Sequence, residues 1–315
     1  MQNKVFSRLN AAVIAGVLCL PLVTYAADAG ASSASASTIV TVEASKHQAP
    51  SPIVADNLLV YTGKKNPARV TSVEPLNTAN VKTQLFIYLD DSSRGGSLGP
   101  RLGELKNFVT ALPQNTQVAI GYMRNGSYNL VQPFTTDHAQ AAQAIRLPVS
   151  TPGINGSPYF ALSYLVKHWP SKEHVDRKAV LMLTDGVDRY YDSMTSQDPY
   201  VDAAIKDCQH FGVLVSSVYF RGAGFYSQHG FGQTMSQSRL MQVSQATGGE
   251  AYFEGFNSPV SLTPYLQKFA DRLNRQYRVT FEANANAGLQ RVAFRSELPG
   301  VKVTGPSEVL IHNPS

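Results

Sequence analysis

Three short stretches of this sequence collect the residue types that hold a hard divalent cation: Asp90-Asp91-Ser92-Ser93-Arg94, Asn155-Gly156-Ser157 and Thr184-Asp185-Gly186. Such a cation takes oxygen ligands and keeps open positions for water and a partner's carboxylate. Short Asp, Ser and Thr side chains supply those oxygens once the backbone brings the stretches together. Arg94 stands apart among them, because a guanidinium donates five N–H groups and accepts nothing.

The elements that must bring them together read as strands and helices in alternation. Leu85-Phe86-Ile87-Tyr88-Leu89 is an apolar run ending at Asp90, which predicts a strand buried on both faces. Leu98, Leu102, Leu105, Phe108, Val109 and Leu112 then recur at helical spacing, with Arg101, Glu104 and Lys106 off that stripe. Strands over 116–123 and 128–134 meet at Asn125-Gly126, a strong hairpin signal. Asp137 caps a helix to Ile145, and further helices are expected over 157–169, 199–211, 236–250 and 259–274. Between them, 179–183, 213–219 and 251–253 read as strands. The pattern predicts an α/β domain over 80–275, a doubly wound and mostly parallel sheet with helices on both faces. Each of the three stretches then falls at a strand end, where open α/β sheets gather ligands.

Outside that domain the periodicity is two. Short strands are expected over 39–43, 58–61 and 68–73 within an N-terminal β segment, 38–75. Others, over 277–283, 289–295 and 301–303, form a C-terminal segment, 276–312. Neither segment buries much alone, so the two are expected to pack as one small appended antiparallel β layer.

In this order, the three stretches resemble the metal-ion-dependent adhesion site of the von Willebrand factor type A (vWA) family, D-x-S-x-S after the first strand, a Thr after the third and an Asp, commonly in T-D-G, after the fourth. The resemblance places Asp90 and Ser92 on the first two ligands, Ser157 on the Thr and Asp185 on the distal Asp, while Arg94 falls where the second Ser belongs. It is closer still to the secreted acidobacterial VWFA-related family, through Gly121-Tyr122-Met123-Arg124-Asn125, Gly156-Ser157-Pro158-Tyr159, Leu183-Thr184-Asp185-Gly186-Val187-Asp188-Arg189 and Thr247-Gly248-Gly249-Glu250. That likeness runs over roughly residues 38–312 and implies a vWA-like, Rossmann-like fold, export and a binding role, without any enzymatic activity.

The departure at Arg94 leaves three arrangements open. In one, its guanidinium replaces the cation between Asp90 and Asp185. In another, Arg94 turns outward and Mg²⁺ or Ca²⁺ still binds weakly through Asp90, Ser92, Ser157 and Asp185, with Asp91 or Ser93 helping. In the third, these groups do local work only, Ser157 before Pro158 being a ready helix N-cap.

Aromatic residues form the second candidate set. Phe225, Tyr226 and Phe231 lie among glycines in the loop expected after Phe220, and Tyr190 and Tyr191 follow Asp185. At the C-terminal edge of the sheet they would ring the site as a protein-binding patch, or else fold back as a small core of the loop. The acidic run Asp185, Asp188, Asp192, Asp198, Asp202 and Asp207 fits no calcium loop and reads as a solvated loop and helix start. No H-E-x-x-H, G-x-S-x-G, phosphate-binding or dinucleotide motif is present, so no catalysis is expected. The expected role is binding of a protein or envelope partner at the strand-end face, or a structural role in the envelope through the β layer.

Composition sets the remaining bounds. With 43% hydrophobic residues in 315, the chain can bury a real core. Lys4 and Arg8, the apolar run 11–23 and Thr24-Tyr25-Ala26 read as a signal peptide, 1–26, too short to remain as an anchor. The expected address is therefore periplasmic or extracellular. Residues 27–37, chiefly Ala and Ser, read as a flexible lead. Beyond the signal Cys208 is the sole cysteine, so no intrachain disulfide is expected. The net charge of +5 is scattered along the chain, which argues against nucleic acid as a partner.

Overall fold

The computed structural model describes residues 34–44, 51–77, 81–91, 98–149, 156–191, 197–222, 230–283 and 287–312. Three strands come first: β1 (Ala34–Ala44), β2 (Leu58–Thr62) and β3 (Asn66–Pro75). β1 begins inside the stretch expected to be a flexible lead. Composition alone hides the reason: Ala34 and Ala36 alternate with Ser, so one face of small side chains is buried, and Ala34 and Ala36 pair with Ala283 and Phe281.

The central sheet is built from β4 (Thr83–Asp90), β5 (Thr116–Arg124), β6 (Ser127–Thr135), β7 (Arg177–Thr184), β8 (Val213–Tyr219) and β9 (Ala251–Tyr252). Its order is β6-β5-β4-β7-β8-β9, and every pairing is parallel except the β5–β6 hairpin. That hairpin turns through Asn125 (φ 50°) and Gly126 (φ 71°), the two left-handed positions that a type I′ turn requires.

β4 is buried along its whole length because helices cover both of its faces. Leu85, Ile87 and Leu89 pack with α1 (Leu102–Thr110), α2 (His138–Gln143) and the later helix Thr263–Asn274. Phe86 and Tyr88 pack with α3 (Pro158–Lys167), α4 (Pro199–His210) and α5 (Gly230–Ala246). Helix Thr263–Asn274 is α6. The first turns of α2, α3 and α4 are capped by Asp137, Ser157 and Asp198, each accepting a backbone N–H of its helix.

α5 starts six residues earlier than its apolar spacing indicated. Its buried face carries Gln233, Ser236, Gln237 and Arg239 beside Leu240 and Val243, so hydrophobic periodicity does not mark its first turns. Phe231, assigned to a loop on sequence, consequently lies on α5, 54% exposed.

β10 (Gln276–Ala283), β11 (Gly288–Ser296), β12 (Val301–Thr304) and β13 (Glu308–Ile311) complete a second, antiparallel sheet of order β12-β1-β10-β3-β2-β11-β13. A bridge from Ser35 to His312 brings β1 back against the end of β13, so this sheet curls around a core that includes Val40, Val60, Val279 and Phe281. Arg177, 1% exposed, ties the layers together. Its guanidinium donates to Thr83 Oγ1 (3.0 and 3.2 Å), Leu273 O (2.7 Å) and Gln276 Oε1 (2.9 Å), which join β4, α6 and β10.

Candidate functional site

Because β4 continues to β5 on one side and β7 to β8 on the other, the C-terminal ends of β4 and β7 flank the point where the strand order reverses. Side chains at such a point face a crevice rather than a neighbouring crossover. Asp90 ends β4, Thr184 ends β7, and Asp185 follows it fully buried. Thr184 Oγ1 donates to Asp90 Oδ2 at 2.6 Å and accepts from Gly186 N at 3.1 Å. Gly186, at φ +67°, passes so close to α5 that an added Cβ would sit 2.8 Å from Leu240 Cγ. Glycine is thus needed there on two counts.

Asp185 is held by a guanidinium from its own loop. Arg189 Nη2 donates to Asp185 Oδ2 at 2.5 Å and Nη1 lies 3.4 Å from Oδ1, which also accepts from Val187 N at 3.0 Å. The Arg189 side chain is 15% exposed and that of Asp185 0%. Burial opposes the charge on Arg189, yet the fields of Asp185, Asp90 and Asp188 outweigh it and hold its pKa above the usual arginine value. Burial lifts the Tyr159 hydroxyl well above its ordinary value; Arg239 works the other way, and Asp188, Asp198 and Asp185 add to the rise.

Ser157 meets a different acid from the one its family position implies. Its hydroxyl donates to Asp188 Oδ2 at 2.7 Å while accepting from Phe160 N at 3.3 Å as the cap of α3. Asp188 Oδ1 accepts from Tyr190 N and Tyr191 N at 2.8 and 2.9 Å. Asp91 is likewise engaged: Arg146 Nη1 and Val149 N each donate to its Oδ1 at 3.0 Å, and the Arg146 guanidinium lies 3.9 Å above the Tyr122 ring. Asp198 faces Arg239 across 3.3 Å, both buried. Burial raises the Asp198 pKa, partly offset by hydrogen bonds from the first turn of α4 and by Arg239.

These contacts correct the expectation of a solvated acidic run: Asp185, Asp188 and Asp198 are all buried, because each has N–H donors or an arginine to replace water. Asp202 is exposed on α4, Asp207 pairs with Lys167 at 2.8 Å, and Asp192 lies outside the described residues. So do Ser92, Ser93, Arg94, Asn155, Phe225 and Tyr226. Tyr190 and Tyr191 pack on helices, with Tyr190 5.1 Å from Phe160 and both tyrosines about 5.5 Å from Tyr200.

Among the described residues, the oxygens that could face a cation are already engaged. The Asp185 carboxylate holds Arg189, the Thr184 hydroxyl is spent on Asp90 and the Ser157 hydroxyl on Asp188. A cation placed beside Asp185 would also meet the fixed positive charge of Arg189. Among the described residues no three His, Cys, Asp or Glu side chains converge in metal-binding geometry. Sequence reasoning missed Arg189, Arg146 and Asp188 as site residues. The available signal was an Arg four residues after Asp185, in a stretch otherwise read only as part of a motif.

No protein-family model and no curated protein matches the chain. Among solved structures it is similar to an aerotolerance-related membrane protein from Bacteroides fragilis (16% identity, TM-score 0.40, 61% of this chain and 98% of that one). It is also similar to the conserved hypothetical protein BatB from Bacteroides thetaiotaomicron (16%, TM-score 0.39, 61% and 97%). A third is the vWF domain of the type V pili tip protein Mfa5 from Porphyromonas gingivalis (11%, TM-score 0.43, 62% and 95%). Likeness of shape at this level says nothing of ligand or partner.

Proposed function

We propose that this chain is an exported, vWA-like binding module that engages a protein or envelope partner through the C-terminal edge of its α/β sheet without using a metal. The strand order β6-β5-β4-β7-β8-β9, with helices on both faces, supports a doubly wound arrangement. One observation carries the rest: the half-buried Arg189 guanidinium lies 2.5 Å from Asp185 Oδ2, where the family's distal ligand would face its cation. The charge that a vWA site obtains from an ion is here covalently tethered. The loop is fixed by it, and the partner meets a preorganised surface.

Calorimetry and thermal shift with Mg²⁺, Mn²⁺ and Ca²⁺ test this directly. The wild-type chain is expected to show no specific cation binding, whereas Arg189→Ala, which removes the guanidinium from the Asp185 carboxylate, gains it. Capture of a partner from envelope extract is expected to survive EDTA and to fail in Arg189→Ala. Micromolar cation affinity in the wild type that Asp185→Ala abolishes overturns the proposal and restores a metal-dependent adhesin.

A further inference from the structure

The curled sheet carries a second candidate site, unrelated to the strand-end face. β2 and β11 pair in register, Tyr61 opposite Ala293 and Leu59 opposite Arg295, and Gly63 N donates to Arg291 O at 2.9 Å. Along this pair runs an open cavity of about 790 Å³ whose lining includes Tyr61, Gly63, Lys65, Arg291, Ala293 and Arg295. That volume is in the range of small-ligand sites, roughly 300–1,000 Å³.

Its charge is one-sided. Three cations face a single carboxylate, Glu308, which reaches only Arg291, at 3.8 Å. Lys65 and Arg295 are in no ion pair among the described residues, and both are exposed. Lys65 also sits at φ 77°, in the left-handed region. A side chain there costs about 1 kcal/mol relative to glycine. The turn Gly63-Lys64-Lys65 therefore keeps a cation at the rim of the cavity where glycine would be easier.

The floor is low beside Tyr61, since Ala293 across the strands and Gly63 two residues along its own chain carry almost no side chain. On either side stand Arg291 and Arg295, whose Cα atoms are about 13 Å apart for four residues of strand. An aromatic ring over a shallow floor, flanked by two guanidinium forks, suits a sugar ring whose apolar C–H face stacks on it and whose edge bears acidic groups. β11 pairs with β13 over 288–291 and with β2 over 292–296, and because side chains alternate along the strands the groove face presents Arg291, Ala293 and Arg295.

We infer that this groove binds an acidic glycan, a sugar chain bearing carboxylate groups, with a ring stacked on Tyr61 and the acids held by Arg291, Arg295 and Lys65. The test uses the full chain with polygalacturonate, and with neutral dextran and poly-L-glutamate as comparisons, by affinity electrophoresis and calorimetry at two salt concentrations. Polygalacturonate is expected to bind, more weakly at high salt, and dextran and poly-L-glutamate not to. An Arg291→Gln/Arg295→Gln double variant and Tyr61→Ala should each weaken binding by about tenfold. Lys65→Gly should weaken it while leaving the melting temperature unchanged or higher, which separates lost binding from lost folding. Failure of polygalacturonate to bind, equal binding of poly-L-glutamate or dextran, or folded variants that bind as the wild type does, overturns the inference.

Discussion

The two ends of the central sheet each hold an arginine away from most of the solvent, and they do it by opposite means. At the N-terminal end Arg177 is 1% exposed, in no ion pair among the described residues, and donates to a hydroxyl, an amide oxygen and one carbonyl in the last turn of α6. Burial pushes its pKa down to about 10, against the weaker pull of Asp176. At the C-terminal end Arg189 lies among Asp185, Asp90 and Asp188, and its pKa is raised. Neutral acceptors make Arg177 a joint between layers. Matched carboxylates make Arg189 a charge held at a surface crevice, where under the proposed reading it replaces an ion.

The largest expected effect breaks the first half of this contrast. Arg177→Ala leaves the Thr83, Leu273 and Gln276 oxygens without their donor and opens a cavity, and should cost about 3–5 kcal/mol in chemical denaturation. A loss of less than about 1 kcal/mol would place Arg177 among ordinary surface side chains. Arg189→Met comes next, at about 2–4 kcal/mol, because it removes the guanidinium that neutralises a buried carboxylate. The Asp185→Leu/Arg189→Met double variant removes both charges and should recover to within about 1 kcal/mol of wild type. If it does not, Arg189 is held by Asp90 and Asp188 rather than by its pair.

A smaller effect tests α6 from the end opposite Arg177. Glu104 on α1 accepts from Ser261 Oγ, Thr263 N and Thr263 Oγ1 at 2.6–2.7 Å. Burial works against this carboxylate, but these hydrogen bonds outweigh it and hold its pKa below the usual value. A depressed folded pKa contributes stability above the unfolded value, near about 4.3, and loses it as pH falls through the folded one. Glu104→Gln should therefore cost about 1 kcal/mol near neutrality and flatten the acid limb of the stability profile. Thermal melts between about pH 3 and 7 measure both.

Much of the central domain was legible because its signals are local. The run Leu85 to Leu89 lies in β4, Asn125-Gly126 is the turn between β5 and β6, and Ser157 before Pro158 caps α3. β4 and β7 are neighbours, so Asp90 and Asp185 lie at adjacent strand ends. The first turns of α5 and the short β13 were not legible, the one because its buried face is polar, the other because four residues make no period. Nor was the direction of Arg189, since an Arg four residues after an Asp points inward only where three carboxylates have already been buried.

The sequence by itself determined the alternation of strands and helices, their caps and turns, and the residue types gathered at strand ends. Each of these depends on neighbours within a few positions of one another. Tertiary structure alone decided which charges are paired. Arg177 meets Leu273 and Gln276 across 96 and 99 positions, Asp90 meets Thr184 across 94, and Ser157 turns to Asp188 rather than to Asp185. Buried polar groups take the partner that desolvation leaves within reach, and the folded chain sets that reach.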